Sequence, residues 1–344
     1  MSTKIAVLGT GAQGAGIGSN LVQAGHDVTF IEQWPAHVEA MRKSGIRVVM
    51  PSETTTTPVR AIHLCEVAEL REKFDLVFVL VKAYDTRWAC ELIKPYVKDD
   101  GFVVGLQNGM SIDDMAAVVG AHRTLGSVIE MASNMYEPGI VTRETPPSGS
   151  WFALGALDAA QRDRVPDVAA VLGAAGTVEV FDDIRSAKWM KLVANAAELV
   201  PSAILNLPLA DAIRVPGMHE YMLEAGKEAV RTAIALGNHL VPIFGMTEED
   251  LTEPDQFAID LLDQVLEKFS SPTTRTTVLQ DWLKGRRSEV DQVNGLVVDE
   301  QARLGGTAPA NQLAVELAHR IESGDLLADP SNIDLLLASR VGQG

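Results

Sequence analysis

Through the first half of the chain, short apolar runs alternate with amphipathic ones. The runs "KIAVLG", "DVTFIE", "RVVM" or "VRAIHL", "DLVFVLV", "FVVGLQ", "TLGSVIEMA", "GIVTRE", "WFALGAL" and "TVEVF" predict strands. The stretches 12–25, 35–44, 86–97, 111–119 and 160–174 carry helical spacing between them. Strands that alternate with helices predict a parallel sheet with helical crossovers. "DLVFVLV" is apolar on every residue after Asp75, as a strand buried on both faces requires. From about Asp183 strand-like runs become scarce, and helical patterns take over at 184–200, 211–237, 247–268, 273–284, 287–304 and 307–322. The change of period places a boundary near 182: an α/β domain over 1–182 and an all-helical domain over 183–344, with the tail "RVGQG" expected to fray.

Composition narrows the function classes. Twenty-nine basic residues against 46 acidic ones give a net charge of −17, which repels phosphate backbones and anionic lipid. Nucleic-acid and membrane partners are therefore not expected, and an anionic ligand has to be held by specific backbone donors and a few placed cations. "LVFVLV" is too short to span a bilayer, and no signal peptide precedes the first strand at Lys4. Cys65 and Cys90 offer neither paired metal-ligand spacing nor a disulfide framework, so they read as reduced thiols in a cytoplasmic protein. The seven histidines show no zinc-binding spacing, and no metal is expected.

The first chemistry-bearing motif is the opening "KIAVLGTGAQGAGIGSNLVQAGHDVTFIEQ". Gly9, Gly11 and Gly14 stand in G-x-G-x-x-G spacing after a strand, with Ala12 and Gln13 opening a helix and a second strand ending in Glu32. That context predicts a Rossmann dinucleotide-binding domain. Gly9 permits the tight turn, Gly11 lets backbone approach a pyrophosphate, and Gly14 lets the helix pack closely. The helix N-terminus presents free N–H groups and a partial positive charge to the phosphates. A carboxylate at Glu32 accepts hydrogen bonds from a ribose 2′-hydroxyl and repels a 2′-phosphate, and no arginine follows it among Gln33, Trp34 and Pro35. NAD(H) is thus expected over NADP(H), which stays possible; the competing reading of Glu32 is a solvated strand end. Two further strands end in Lys82 and in Asn108-Gly109, on the carboxyl edge where open parallel sheets bind ligands.

In the helical half, "SAKWMKLVANAAELV" places Lys191 and Asn195 four apart, stacked on one face of a largely apolar helix. If that face looks into a cleft, the pair is suited to a polar reacting group. Glu198, seven residues beyond Lys191, reads as an ion-paired or exposed charge. In "TTRTTVLQDWLKGRRSEVDQVNG", Thr277 lies twelve residues before Glu289, which is flanked by Val290 and Val293. Taken alone, Glu289 reads as a solvated helix residue.

Six pieces, "GTGAQG", "VKAYDT", "LQNGM", "KWMKLVAN", "LQDWLKGRRSEVDQVNG" and "TAPANQL", occur in one order from the first strand to about residue 322. In them the chain resembles the ketopantoate reductases, of the 6-phosphogluconate-dehydrogenase-like group of two-domain oxidoreductases. The resemblance implies that Lys191 is the catalytic lysine, Asn195 its substrate-contacting neighbour, and Glu289 a carboxylate bonding near the lysine and the reacting hydroxyl. It places Lys82, Asn108 and Ala132 on the nicotinamide side of the cofactor, and Thr274 and Thr277 where the family contacts the substrate carboxylate. The chain also departs from the family: Leu199 stands where Asn is usual, a later substrate-contacting Asn falls near Leu209, Thr277 replaces Ser, and Gln33 replaces the arginine that selects NADPH.

These departures remove polar partners from the substrate end, so the expected function is an NAD(H)-dependent 2-oxoacid reductase, or D-2-hydroxyacid dehydrogenase, on a substrate other than ketopantoate. The expected partner is a small 2-oxoacid or 2-hydroxyacid, and the chain is a monomer or homodimer. Alternatives are a β-hydroxyacid dehydrogenase, against which the first turn lacks Leu-Gly-x-Met-Gly, and a non-catalytic NAD(H)-binding protein, which need not keep Lys191, Asn195 and Glu289 together.

Overall fold

The structure, a computed structural model, describes residues 3–251, 253–268 and 275–338. The chain divides into two compact units, Met1–Arg185 and Ser186–Gly344. The expected fraying of "RVGQG" and the site residue Thr274 lie outside the described residues.

The first unit runs β1 (Lys4–Leu8), α1 (Ala12–Gln23), β2 (Asp27–Glu32), α2 (Pro35–Ser44), β3 (Ile46–Val49), β4 (Thr54–Thr57), β5 (Arg60–His63), β6 (Phe74–Val79), α3 (Thr86–Ile93), β7 (Val97–Leu106), α4 (Ile112–Val119), β8 (Thr124–Glu130), β9 (Ser133–Glu137), β10 (Ile140–Arg143), β11 (Trp151–Ala156), α5 (Val165–Leu172) and β12 (Thr177–Val180). An eight-stranded sheet has the order β12-β11-β8-β7-β6-β1-β2-β5. All its pairs are parallel except β8 with β11, so β11 and β12 run against the other six. The chain moves outward from β1 through β2 to β5, then returns to lay β6 on the other flank of β1. That reversal sets the carboxyl ends of β1 and β6 beside each other, the place where open α/β sheets bind ligands.

A second sheet, β4-β3-β10-β9, includes two strands the apolar pattern does not mark. β4 is "TTTT", whose polar side chains give no alternation, and β9 is short and half exposed. The helical stretch predicted over 86–97 ends at Ile93, with a 3-10 turn at Lys94–Tyr96 where Pro95 intervenes. α1 is built largely of small residues on its buried face, and a Cβ at Gly18 would fall 2.4 Å from the Phe30 ring. Fully buried Arg143 donates to Asn20 Oδ1, the Thr145 and Ala175 carbonyls and Ser150 Oγ. Burial pushes its guanidinium down to about 10.

The helical unit contains most of α6 (Ile184–Ile204), then α7 (Leu209–Ala212), α8 (Met218–Ala235), α9 (Pro254–Lys268), α10 (Thr277–Leu283), α11 (Asn294–Arg303), α12 (Pro309–Glu322) and α13 (Ile333–Ala338). Every residue of α6 from Ser186 to Ile204 is buried, which explains a helix apolar nearly all round. Helices predicted as single pieces are divided. The 211–237 stretch breaks into α7 and α8 because Pro216 lacks an N–H and Gly217 adopts a left-handed φ of 85°. The 247–268 stretch becomes a 3-10 turn at Glu248–Asp250 and a helix starting at Pro254, and 287–304 becomes a 3-10 turn at Val290–Gln292 followed by α11. α6 continues four residues past its predicted end, through Pro201.

A buried polar chain ties four of these helices together. The Glu228 carboxylate on α8 accepts from the Ala310 and Asn311 amides at 2.9 and 3.0 Å, at the start of α12, and from Asn311 Nδ2 at 2.8 Å. Asn311 Oδ1 accepts from Asn294 Nδ2 at 2.9 Å, which also donates to the Ala196 carbonyl of α6 at 2.9 Å. Burial pushes the Glu228 carboxyl up, against the pull of its three donors. Glu228→Ala leaves two buried amides without their acceptor, a loss of about 1–3 kcal/mol. Differential scanning calorimetry should show a lowered melting temperature.

Candidate active site

In the first unit the glycine-rich turn is shaped by backbone. Gly9 has a φ of +88°, and a Cβ there would meet the Val81 nitrogen at 2.7 Å. A Cβ at Gly14 would fall 2.1 Å from the Gly9 carbonyl oxygen, whereas none of the described residues lies within 4 Å of one at Gly11. The turn is thus closed on the sheet side and open beside Gly11. Among the described residues no side chain caps the α1 N-terminus, and no acidic residue lies in its first turn. This arrangement suits an anion at the helix start, a fit that the sequence motif alone could not test.

Glu32 is buried, at 6% exposure, which excludes the solvated reading. Its Oε2 accepts from the Thr10 amide at 2.6 Å and the Thr10 hydroxyl at 2.9 Å, and its Oε1 accepts from the Trp34 amide at 2.8 Å. The carboxylate therefore also organises the turn. Lys82 caps a 3-10 turn at Ala83–Asp85, half-buried just after β6. Asn108 is half-buried two residues after β7. Gln107 ties these two strand ends together, donating to the Val81 carbonyl at 2.8 Å and Thr86 Oγ1 at 2.9 Å. Ala132 donates its amide to Thr145 Oγ1 at 3.1 Å, and its neighbour Met131 accepts from Gln13 Nε2 at 3.3 Å. The Gly-rich turn, Gln13, Lys82, Asn108 and Ala132 thus lie on one connected stretch of structure.

In the helical unit, Lys191 is 8% exposed and Asn195 1%. The Lys191 ammonium lies 4.8 Å from the centroid of the Phe244 ring, a cation–π contact. Phe244 itself holds a left-handed φ of 59°, an uncommon backbone for a bulky residue. The Nδ2 of Asn195 finds no acceptor among the described residues. An orphaned buried donor costs about 1–3 kcal/mol, which a ligand oxygen would recover. Glu198 is 6% exposed, so the exposed-charge reading of it fails. It sits about 20° around the helix from Lys191.

Leu199 is buried at 7%, and its carbonyl accepts from Thr276 Oγ1 at 3.0 Å. Thr277 follows, half-buried, as the first residue of α10. Glu289 lies on no helix: it caps the 3-10 turn Val290–Gln292, with its side chain largely buried. The preceding Ser288 donates through its amide and hydroxyl to Glu322 Oε1 at 2.9 and 2.6 Å, and Asp291 bonds His319 at 2.7 Å. Three bonds to α12, two from Ser288 and one from Asp291, therefore brace the turn on either side of Glu289. Among the described residues, no group of three or more His, Cys, Asp or Glu is placed to hold a metal ion.

A family model described as "Ketopantoate reductase PanE/ApbA" matches residues 5–157, and one for the "Ketopantoate reductase PanE/ApbA C terminal" region matches 183–322. The chain belongs to the ketopantoate reductase family. It is accordingly an NAD(P)-dependent oxidoreductase acting on CH–OH groups. A 2-dehydropantoate 2-reductase of Pyrococcus horikoshii is 29% identical over 93% of this chain and 98% of its own length. One from Archaeoglobus fulgidus is 26% identical over 93% and 98%. A solved PanE/ApbA family ketopantoate reductase from Ralstonia eutropha JMP134 superposes with a TM-score of 0.78 at 28% identity, covering 94% of this chain and 99% of that one. The ternary structure of D-mandelate dehydrogenase with NADH and anilino(oxo)acetate gives a TM-score of 0.83 over 94% and 99%, at 19% identity, a likeness of fold. No described helix is long and apolar enough to cross a membrane.

Against the family pattern, the structure adds residues that the motif reading passes over. Gln107 closes the buried run "FVVGLQ", and a polar residue ending such a run is itself a signal. His37 shares the buried face of α2 with Val38 and Met41, another visible signal. Phe244 lies in a loop with no period, and nothing local marks it as the partner of a lysine 53 positions earlier. Gly14→Ala must open the turn, so it is expected to weaken NADH binding by about tenfold or more in a fluorescence titration.

Proposed function

We propose that this protein is an NAD(H)-dependent 2-oxoacid reductase, or in reverse a D-2-hydroxyacid dehydrogenase, acting on a substrate less polar than ketopantoate. The observation that carries this reading is a buried ammonium, Lys191, one helical turn from the acceptor-less amide donor of Asn195. Gly9, Gly11, Ala12, Gln13 and Gly14 would hold the pyrophosphate, Glu32 would hold the adenosine ribose, and Lys82, Asn108 and Ala132 would flank the nicotinamide. When bound, that cofactor supplies or accepts the hydride.

The chain's own groups supply the rest of the chemistry. Lys191 donates a proton to the carbonyl oxygen during reduction and takes it back during oxidation. Asn195 Nδ2 donates a hydrogen bond to a substrate oxygen and fixes its orientation. Glu289, held by the braced turn, orients the lysine or the hydroxyl. Thr274 and Thr277 contact the substrate carboxylate. Buried Leu199 replaces a polar family residue and buried Leu209 lies near the place of another, so a substrate hydroxyl placed there would lose its partner. That D-mandelate dehydrogenase is described with an oxoacid analogue bearing an aromatic ring agrees with an apolar side chain.

The buried Glu32 carboxylate, with Gln33 beside it, supports NAD(H) over NADP(H), because a 2′-phosphate would meet a negative charge. Following NADH and NADPH oxidation across branched, aromatic and hydroxylated 2-oxoacids should give a higher kcat/KM with NADH, and with an apolar oxoacid rather than ketopantoate. Lys191→Ala is expected to keep NADH affinity and lower kcat by about 10²–10⁴-fold. Near-normal turnover in that variant would rule out its role.

A further inference from the structure

Thr10 stands between Gly9 and Gly11, and three of its polar groups are held. Its amide and hydroxyl donate to Glu32 Oε2, and its carbonyl oxygen lies 2.9 Å from Nε2 of His37. The other ring nitrogen, Nδ1, accepts from the Gly139 amide at 2.8 Å, in the turn between β9 and β10. A backbone N–H can only donate, so Nδ1 carries no hydrogen and Nε2 carries the proton that it gives to Thr10. These two contacts fix the tautomer. His37 is fully buried, and the Trp34 ring packs 5.8 Å from it, centroid to centroid.

The geometry of a trans peptide gives this contact a direction. The plane joining Thr10 to Gly11 sets the Thr10 carbonyl and the Gly11 N–H on opposite sides. With the carbonyl drawn toward His37, the Gly11 amide points away from it. We propose that His37 is a positioning residue for the dinucleotide: by holding the Thr10 carbonyl in its neutral, Nε2-protonated form, it aims the Gly11 amide toward the pyrophosphate. This rests on the glycine-rich turn being the NAD(H) site. Glu32 and His37 then act as two clamps on one residue, one on its donors and one on its acceptor.

The clamp works only with a neutral ring. A second proton on Nδ1 would face the Gly139 N–H, donor against donor, and that hydrogen bond would be lost. Burial lowers the His37 pKa, while the Glu32 charge and the Thr10 carbonyl oppose the shift. Glu32 is the charge that faces the ring from β2; the Gly-rich turn and the β9–β10 turn present backbone. On α2 itself, Glu39 is turned to His63 and Arg42, and Arg42 to Glu66. Because the folded pKa is depressed, the clamp is fully present above the ordinary histidine value and is lost as pH falls through the lower folded one.

The test is NADH affinity by fluorescence titration between about pH 5 and pH 8, for wild type, His37→Phe and His37→Gln. A glutamine amide can reach the Thr10 carbonyl but has no ring to protonate. At the upper pH, His37→Phe should bind NADH about tenfold more weakly and His37→Gln within about threefold of wild type, with kcat at saturating NADH little changed. Wild-type affinity should fall toward acid more steeply than that of His37→Gln. Equal affinity of folded His37→Phe and wild type would overturn the proposal, since a packing role alone would lower melting temperature without moving Kd. If His37→Phe does not fold, NADH binding by folded His37→Gln more than about tenfold weaker than wild type at the upper pH would overturn it. Absence of NADH binding by wild type would instead overturn the reading of the turn as the NAD(H) site.

Discussion

An ion taken out of water costs several kcal/mol unless fixed groups replace its hydration, and this chain buries ions in both units. Much of the replacement comes from segments distant in sequence. Glu32 at the end of β2 is solvated by the amides of Thr10 and Trp34, and Glu228 on α8 by the first amides of α12. Arg143 is met by carbonyls and side chains from α1 and the segments around β11. Lys191 has the face of an aromatic ring. Each of these groups therefore fixes where its neighbours' backbone must lie, and the turns that carry the candidate chemistry are shaped by that demand.

The first unit was largely legible because its signals are local. Apolar runs between Gly and polar punctuation mark strands buried on both faces, and the glycine spacing follows from contacts within one turn, as the clash at Gly14 shows. β4 escaped because four identical threonines, of which only Thr57 is buried, carry no apolar alternation, and β9 because much of it is exposed. In the helical unit the period revealed helices but not their breaks, which depend on Pro216-Gly217 and on the braced turn around Glu289. Glu289 illustrates the limit: its neighbours advertised an apolar setting, while the bonds that keep it off a helix come from Glu322 and His319, 33 and 30 positions later.

Two family motifs acquire a physical reason from these contacts. Asn294 in "EVDQVNG" and Asn311 in "TAPANQL" bond each other, and Asn294 reaches the carbonyl of Ala196, the residue after Asn195. The spacing of these motifs reflects a fastening of three helices at the level of the candidate site. That they accompany the lysine in the family pattern is then a matter of support for the helix that carries it.

Phe244 reaches Lys191 from the connection between α8 and α9, in a backbone conformation that few aromatic residues adopt. The helix bearing the ammonium is sealed on every side and tolerates little change, whereas connections of this kind accept insertions and exchanges readily. On the reading proposed above, the ring that faces the ammonium can therefore be exchanged in one stretch of chain while the helix that carries it stays as it is, so descendants of one ancestor could diverge around an unchanged lysine.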